Sequence, residues 1–343
     1  MTAPAATAEG PPARSISGAS TQGLVQFGVV AVALVLAFVA LGPAQFVNAL
    51  TLGAIYALVA IGYTMVYGII QLINFAHGDI FMVGTFVSLS FLISLGFNAA
   101  VREPLLLVVL IVAVFVFSMI VMGLAGVLIE RSAYRPLRNA PRLAPLITAI
   151  GVSFILQNIV QFFYGPFQTN SPQIVPTDVF LQVGEVRIPV LSLFIVAVAV
   201  GLMIGLQLFI ARTRLGRAMR STALDRDAAA LMGVNINRTI AITFLIGSAL
   251  AAAAGVVYGL QYGVTRFDLG FQAGLKAFTA AVLGGIGNTV GAALGGFVIG
   301  FIEVGSVVFG YGRWGPALVF GVLIIVLVFR PAGLLGQQVG ERA

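Results

Sequence analysis

The sequence predicts an all-α polytopic integral membrane protein with about ten transmembrane helices and with both termini in the cytoplasm. Of its 343 residues, 60% are apolar and only 8% are charged. An average soluble domain carries about 25% charged residues, so these few charges cannot cover a water-facing surface of this size. Two further observations agree: long apolar stretches follow one another along the chain, and the basic residues cluster between them.

The candidate spans are apolar stretches close to the roughly 20 residues that a membrane helix needs. They are 24–42, 45–70, 80–97, 104–129, 146–164, 190–211, 239–262, 289–310 and 315–329. A further stretch, 276–287, is short and interrupted by glycines, so it is either a short crossing or a re-entrant segment. Residues 1–22 predict a disordered cytoplasmic tail, 23–335 the transmembrane domain and 336–343 a short C-terminal tail.

The distribution of basic residues favours ten crossings. With a cytoplasmic N-terminus and with 276–287 crossing, 13 of the 18 Lys and Arg residues lie on the cytoplasmic side. Those assigned to the outside are Arg102, Arg187, Arg266, Lys276 and Arg313. Cytoplasmic loops of membrane proteins carry an excess of Lys and Arg, and a re-entrant 276–287 would weaken that excess.

Composition also excludes several classes of function. The chain has no cysteine and a single histidine, His77, so it has no thiolate or histidine-rich metal site. It contains no HExxH, GxSxG or phosphate-loop motif. We therefore expect no enzyme activity, no metal and no cofactor, and any energy from ATP would have to come from a partner protein. Topology explains the net charge of +7, so no nucleic-acid partner is expected.

The segment 62–84 groups four polar residues where one apolar span ends and the next begins: Gln71, Asn74, His77 and Asp79. Polar groups at membrane depth are costly unless they face a cavity or a neighbouring helix, and broken backbone is tolerated where it lines such a cavity. One reading is a helix break that borders a translocation path. The alternative is an ordinary cytoplasmic loop in which Asn74 and Asp79 cap the next helix.

Other polar residues inside predicted spans are also candidates for the path. Asn48, Thr51, Gln157 and Gln161 belong to this group, and the last two share a helix face at i, i+4 spacing. They either line the path or form hydrogen bonds between helices. Glu303 is the one carboxylate deep in a predicted span, and without a nearby intramembrane Lys or Arg it argues against a proton-coupled carrier.

The segment 212–238 predicts a surface helix on the cytoplasmic side. Residues 223–232 are good helix formers, and Gly233 suits a helix end. The functional reading is docking to another protein, with small and apolar side chains entering a groove; the alternative is a solvated basic loop. The candidate coupling residues are Arg217, Asp225, Asp227, Ala228, Ala229, Met232 and Gly233.

Four glycines in the run 283–300 form two GxxxG pairs, Gly291 with Gly295 and Gly296 with Gly300. Small residues at this spacing let helices pack closely. The run lacks the Lys-Ser/Thr of a phosphate loop, so helix packing is the predicted role.

Several of these segments together resemble a known family. INFAHGDIFMVGTF (73–86), the block 130–158 and KAFTAAVLGGIGNTVGAALGG (276–296) resemble LivH-type permeases of branched-chain amino-acid ABC importers. Segment 212–238 resembles their coupling segment, with Asp227 where the general pattern has Glu. The resemblance implies a channel-forming subunit in the cell inner membrane, within lipid. It also implies a LivM-type permease paralogue, two cytoplasmic ATPase subunits and a periplasmic or lipid-anchored binding protein as partners.

The resemblance leaves the substrate open. Urea, short-chain amide and sugar importers use similar permeases, so these remain alternatives to branched-chain amino acids. An ion-coupled secondary carrier would need coupling residues and often paired broken helices. An intramembrane enzyme would need a catalytic set.

Overall fold

The structure is a computed structural model that describes residue 32 and residues 34–336, apart from 73, 139, 142, 177, 184 and 185. The predicted tail 1–22, the first part of the span 24–42 and residues 337–343 of the predicted C-terminal tail lie outside the described residues. The chain divides into two units, Met1–Pro43 and Ala44–Ala343. In the first unit, residues 34–41 are helical.

Helices make up nearly all of the larger unit. They are α1 (Pro43–Ile70), α2 (Ala76–Ser94), α3 (Pro104–Ile129), α4 (Leu143–Tyr164), α5 (Val190–Arg212), α6 (Arg214–Leu224), α7 (Arg226–Leu231), α8 (Ile236–Tyr262), α9 (Leu269–Gly284), α10 (Thr289–Val308) and α11 (Gly315–Phe329). A π-helical turn (Glu130–Tyr134) and two 3-10 turns (Arg135–Leu137 and Gly312–Trp314) extend α3 and precede α11. The strands are β1 (Thr169–Asn170), β2 (Phe180–Val183), β3 (Val186–Pro189) and β4 (Val264–Thr265).

Eight helices in the described part of the chain are long and apolar enough to cross a membrane. They correspond, within a few residues at each end, to the predicted spans from 45–70 through 239–262 and to 289–310 and 315–329. The predicted short stretch 276–287 overlaps α9, which has 16 residues. The fold is therefore the expected all-α polytopic one.

The helices form an inner and an outer group. α1, α2 and α8 are largely buried, whereas α4, α5 and α11 expose most of their surface, and that surface is apolar. A helix that is hydrophobic all round fits either a protein core or lipid. The inner helices therefore carry the residues that can form a protected site, and the outer ones provide the surface for lipid or partner subunits.

Two GxxxG pairs place α10 between two neighbours. Gly291 and Gly295 lie against the backbone of α9, whereas Gly296 and Gly300 lie against the backbone of α1. A Cβ at any of these four positions would come closer than 3.0 Å to neighbouring backbone atoms. The two pairs therefore act on different faces of one helix.

The segment around α9 connects a strand pair with the C-terminal end of α1. β4 pairs with β1, with Thr265 opposite Thr169 in the long loop after α4, and the Thr265 hydroxyl also bonds that of Thr85 within α2 at 2.7 Å. After α9, the Leu334 amide donates to the Leu283 carbonyl at 2.8 Å. The turn after α9 lies beside the C-terminal end of α1, where a Cβ on Gly68 would be 3.4 Å from Gly287 Cα.

We expect Gly300→Ala to destabilise the protein and Gly321→Ala to leave it unchanged or slightly more stable. The added methyl at Gly300 meets the α1 backbone at Gly53, whereas nothing lies within 4 Å of the corresponding position at Gly321 on α11. Overpacking costs on the order of 1–3 kcal/mol, and relief of helical glycine favours Ala by up to about 1 kcal/mol. Thermal denaturation in detergent measures both; equal melting temperatures for the two variants would contradict the packing.

Candidate functional site

The junction between α1 and α2 is a sharp break inside the bundle. Gln71 follows the end of α1 with a φ of 56°, the one positive φ outside glycine among the described residues. Such a backbone is uncommon for a side chain other than Asn or Asp. The first turn of α2 then packs on the interior of α1, because His77 lies against Gly62, about two helical turns before Ile70.

Asn74, which precedes α2, is held by the π-helical turn that follows α3. Its side-chain carbonyl accepts a hydrogen bond of 2.7 Å from the buried Tyr134 hydroxyl, and the Tyr134 ring packs on Phe244 of α8 at 5.4 Å. The Asn74 amide nitrogen is buried and has no hydrogen-bond partner among the described residues. The alternative in which Asn74 and Asp79 cap α2 is wrong, because α2 has Phe75 at its N-cap and no side-chain cap.

His77 occupies a space that glycines provide. The imidazole is buried against Gly62 of α1, close to Gly247 of α8, and its ring meets Tyr63 edge-on at 4.8 Å. The Val59 carbonyl lies near the ring, but neither ring nitrogen has a partner of good hydrogen-bond geometry among the described residues. A buried, unpaired imidazole is costly, so its place in the bundle calls for a role other than stability.

Asp79 is fully buried where three helices meet. Its carboxylate accepts hydrogen bonds from the Ser153 hydroxyl and, at 3.1 Å, from the Gln157 amide, both on α4. On its other side lies Gly270 of α9, where a Cβ would meet the Asp79 side chain. Asp79 and Gln157 are thus joined into one polar cluster with Ser153, a residue that the sequence analysis did not single out.

The other candidates for the path lie elsewhere. Asn48 bonds Gln45 at 3.0 Å and Thr51 donates to the Val47 carbonyl at 2.8 Å, both within their own helix near its start. Gln161 lies one turn beyond Gln157 on α4 and is half-buried. The structure therefore groups Asn74, His77, Asp79 and Gln157 around the start of α2, with Gln71 exposed at the break.

The segment 212–238 differs from its predicted form. Asp225 interrupts the helix expected over 223–232: α6 ends before it, and its carboxylate caps α7 by accepting from the amides of Asp227 and Ala228 at 3.0 Å. The segment is therefore two helices joined at a cap. Gly233 has a φ of +83° and ends α7, as the sequence predicts.

The exposed surface of this segment is apolar at its tip. Leu224, Leu231 and Met232 are each more than four-fifths exposed, and Ala228 is exposed as well. Ala229 was expected to enter a groove of a partner, but it is buried within the chain. Leu231, which the sequence did not point to, is exposed in its place. Arg217, Asp225 and Asp227 are exposed and charged around this tip.

Arg226 attaches α7 to the transmembrane bundle. Its guanidinium donates two hydrogen bonds to the Ile69 carbonyl, the shorter at 2.9 Å, directly before the break at Gln71. Burial lowers the pKa of Arg226 from its usual value, and the neighbouring Asp227 carboxylate opposes that shift.

A buried ion cluster lies beside this attachment. The fully buried Glu130 pairs with Arg135 at 2.9 Å and with Arg138, whose guanidinium also reaches Asn237 at the start of α8. Burial lowers the pKa of Arg138, and Glu130 opposes that shift. The cluster was missed because π and 3-10 turns bring these residues together, a geometry that regular helical spacing does not predict.

Glu303 has a cationic partner that the sequence analysis placed outside the membrane. Lys276 lies within α9, and its ammonium is 2.5 Å from the Glu303 carboxylate. The argument against a proton-coupled carrier assumed that Glu303 has no nearby Lys or Arg in the membrane, and that assumption is wrong.

A bundle of apolar helices with a buried polar cluster is the arrangement expected of a membrane transport subunit. Comparison with known proteins identifies which one: residues 45–327 match the family model of the branched-chain amino acid transport system permease component, and the chain belongs to this family.

Two curated relatives match the chain over almost their whole length. The chain is 47% identical over 302 residues to the high-affinity branched-chain amino acid transport system permease protein BraD of Pseudomonas aeruginosa, covering 87% of this chain and 97% of BraD. It is 42% identical over 301 residues to LivH of Escherichia coli K12, covering 87% and 96%. The fructose import permease protein FruG of Bifidobacterium longum is 26% identical over 238 residues, 66% of each chain. No solved structure gives a significant match.

We expect Asn74→Ala/His77→Ala to reduce transport more than it reduces the amount of protein in the membrane. The change leaves the Tyr134 hydroxyl unpaired, which costs about 1–3 kcal/mol, and empties the space beside Gly62. Asn48→Ala is the matched control, because its amide bonds only within the first turn of α1. If uptake per molecule equals that of the control, the junction is an ordinary loop and not part of the translocation path.

Proposed function

We propose that the protein is the permease subunit of an ATP-driven importer that moves branched-chain amino acids into the cell. The observation that carries the proposal is the match to BraD, which covers 97% of that relative at 47% identity. The fructose permease is matched over a smaller share and at lower identity, so a sugar is the weaker candidate. The family match supports transport over an intramembrane enzyme.

The proposed topology has ten crossings in the inner membrane, with both termini in the cytoplasm. The path of residues 264–287 supports a crossing at α9, because it begins at the strand pair with β1 and ends beside the C-terminal segment and Gly68. The excess of basic residues in the segments that include 130–142 and 212–238 supports the orientation.

The proposed translocation site is the polar group at the start of α2. Asp79, His77 and Asn74 lie in the interior, each against a different pair of helices, and the backbone before them is broken. Intramembrane ionisable residues mark substrate pathways in transporters. Movement of α1, α4 or α9 relative to α2 would change what these side chains contact.

The proposed partners are a LivM-type permease, two cytoplasmic ATPases that bind the ATP, and a periplasmic or lipid-anchored binding protein. The exposed Leu231 and Met232 at the tip of α7 form the surface for an ATPase groove, since exposed apolar side chains of a short helix suit such docking. Arg226 carries the displacement of α7 to the end of α1 through its bond to Ile69.

We expect cells that lack their own importer to take up labelled leucine when this chain is expressed with its second permease, ATPases and binding protein. Isoleucine and valine in excess should compete, whereas urea and fructose should not. An ATPase variant that binds but does not hydrolyse ATP is the control for energy coupling. Competition by fructose or urea alone would overturn the substrate class, and uptake without a functional ATPase would favour a secondary carrier.

We expect single cysteines at Ser221 and at Gln168 to react with a membrane-impermeant thiol reagent from opposite sides. The chain has no cysteine of its own, Ser221 lies in α6, and Gln168 lies beside β1 in the long loop after α4. In right-side-out vesicles only the Gln168 variant should be labelled. Labelling of both from one side would refute the ten-crossing topology.

We expect Gly233→Val to insert normally but to lose ATPase association and uptake. Space is open around Gly233, so no clash occurs there; the effect comes from its φ of +83°, which a β-branched residue adopts only at a cost. Gly233→Asn is the matched control, because Asn tolerates this conformation. Co-purification with the ATPases measures the result, and wild-type association for Gly233→Val would exclude α7 as the coupling helix.

A further inference from the structure

A charged cluster lies within the bundle at a distance in sequence from the α1–α2 break. The Lys276 ammonium on α9 is 2.5 Å from one Glu303 oxygen on α10, and the Tyr56 hydroxyl on α1 donates to the other oxygen at 2.8 Å. Lys276 also lies 3.3 Å from the Tyr56 hydroxyl and 5.7 Å from the centre of that ring. Three transmembrane segments therefore meet at one ion pair.

The pair is accessible and not sealed. The Lys276 side chain is 16% exposed and that of Glu303 is 23% exposed, in contrast to the fully buried Glu130. Lys276 lies one helical turn beyond Gln272, an exposed residue on the same face of α9. The ammonium has three donors, of which Glu303 and Tyr56 take two, so one remains for a further acceptor.

A groove with a cavity volume of about 220 Å³ lies near this pair, and its lining residue Gln272 is one helical turn before Lys276 on α9. Both polar and apolar residues line the groove: Gln168, Tyr258, Val264, Thr265, Arg266, Asp268, Leu269 and Gln272. Tyr258 connects groove and pair, because it lines the groove and lies within electrostatic range of Glu303. Two residues of β4, Val264 and Thr265, belong to the lining of the groove.

Stabilisation of the folded protein does not by itself explain such an ion pair. An ion pair taken out of water often contributes less than well-packed apolar residues of the same volume would, and charged residues inside membrane segments are costly. The arrangement has a specific chemical match, however: one cation and one anion side by side, one helical turn along α9 from a residue that lines the groove.

We propose that Lys276 and Glu303, with Tyr56, form a contact site for the zwitterionic head group of the transported amino acid, which enters through the groove. The proposal rests on the proposed function. The substrate carboxylate takes the place of Glu303 at the Lys276 ammonium, and the substrate ammonium binds the freed Glu303 carboxylate. Each buried charge keeps a partner throughout, so the exchange avoids leaving a charge unpaired.

The first test separates substrate contact from a structural ion pair. In the complete importer, Lys276→Gln and Glu303→Gln should each lower leucine uptake about tenfold or more, since each leaves one charge unpaired. The double variant Lys276→Gln/Glu303→Gln and the exchanged pair Lys276→Glu/Glu303→Lys decide the question. A structural pair would be restored by either double change, whereas a head-group site needs both original charges in place.

We expect neither double variant to recover uptake, while Lys276→Arg and Glu303→Asp retain a substantial part of it. Uptake is measured per assembled importer in every variant, because an unpaired charge also lowers stability. The matched control is Arg102→Gln/Asp178→Asn, which removes an exposed ion pair. Uptake near wild type in the uncharged or exchanged double variant would overturn the proposal, as would loss of assembly in both double variants alongside normal uptake in the single ones.

A second measurement does not depend on charge reversal. A cysteine at Gln272 should react with a charged, water-soluble thiol reagent, and leucine with its binding protein and ATP should slow that reaction. Ile325→Cys is the control, because Ile325 is 58% exposed but lies on the apolar helix α11, where a charged reagent has no access from water. No reaction at Gln272, or a rate that turnover leaves unchanged, would overturn the groove as the route.

The two proposals fail in distinguishable ways. If the wild-type assembly takes up no branched-chain amino acid, the proposed function fails. If the wild type transports leucine while the double variants or the Gln272 measurement give the contrary results above, the head-group site alone fails.

Discussion

The start of α2 can lie inside the bundle because glycines at the surrounding helix crossings leave room for it. Gly62 lies beside the His77 imidazole, and Gly270 and Gly274 of α9 lie against the backbone at Gly78. A side chain at any of these positions would push α2 away from its neighbours, and Asp79 and His77 would lose their surroundings. The polar site therefore depends on close backbone approach first, and on hydrogen bonds second.

Polar side chains then connect this site with the cytoplasmic segments. Asn74 is bonded to Tyr134, which follows α3, and Arg226 of α7 is bonded to the carbonyl of Ile69 just before the break. Both contacts end within a few residues of the non-helical backbone at Gln71. If the proposed ATPase displaced α7, the displacement would have a direct route to the segment between α1 and α2.

The sequence predicted the helices well and the contacts between them poorly, for physical reasons. Span positions follow from apolar composition and length, which are local, and Gly233 ends its helix because only local φ matters there. The pairing of Lys276 with Tyr56 joins residues 220 apart, and no periodicity reports such a contact. Likewise, helix propensity over 223–232 gave no sign that Asp225 would act as a cap and divide the segment.

As a proposed contact site, a satisfied ion pair such as Lys276 with Glu303 suits a subunit that passes its substrate onward. A transport site must be favourable enough to enter and weak enough to leave. A preformed site with an unpaired charge would bind a zwitterion strongly and hold it. Lys276 and Glu303 already neutralise each other. The binding free energy of a substrate is therefore only the difference between the contacts it makes and the contacts of the pair that it replaces. Under this proposal, selectivity would come from the binding protein, and the permease would bind each end of the substrate only weakly.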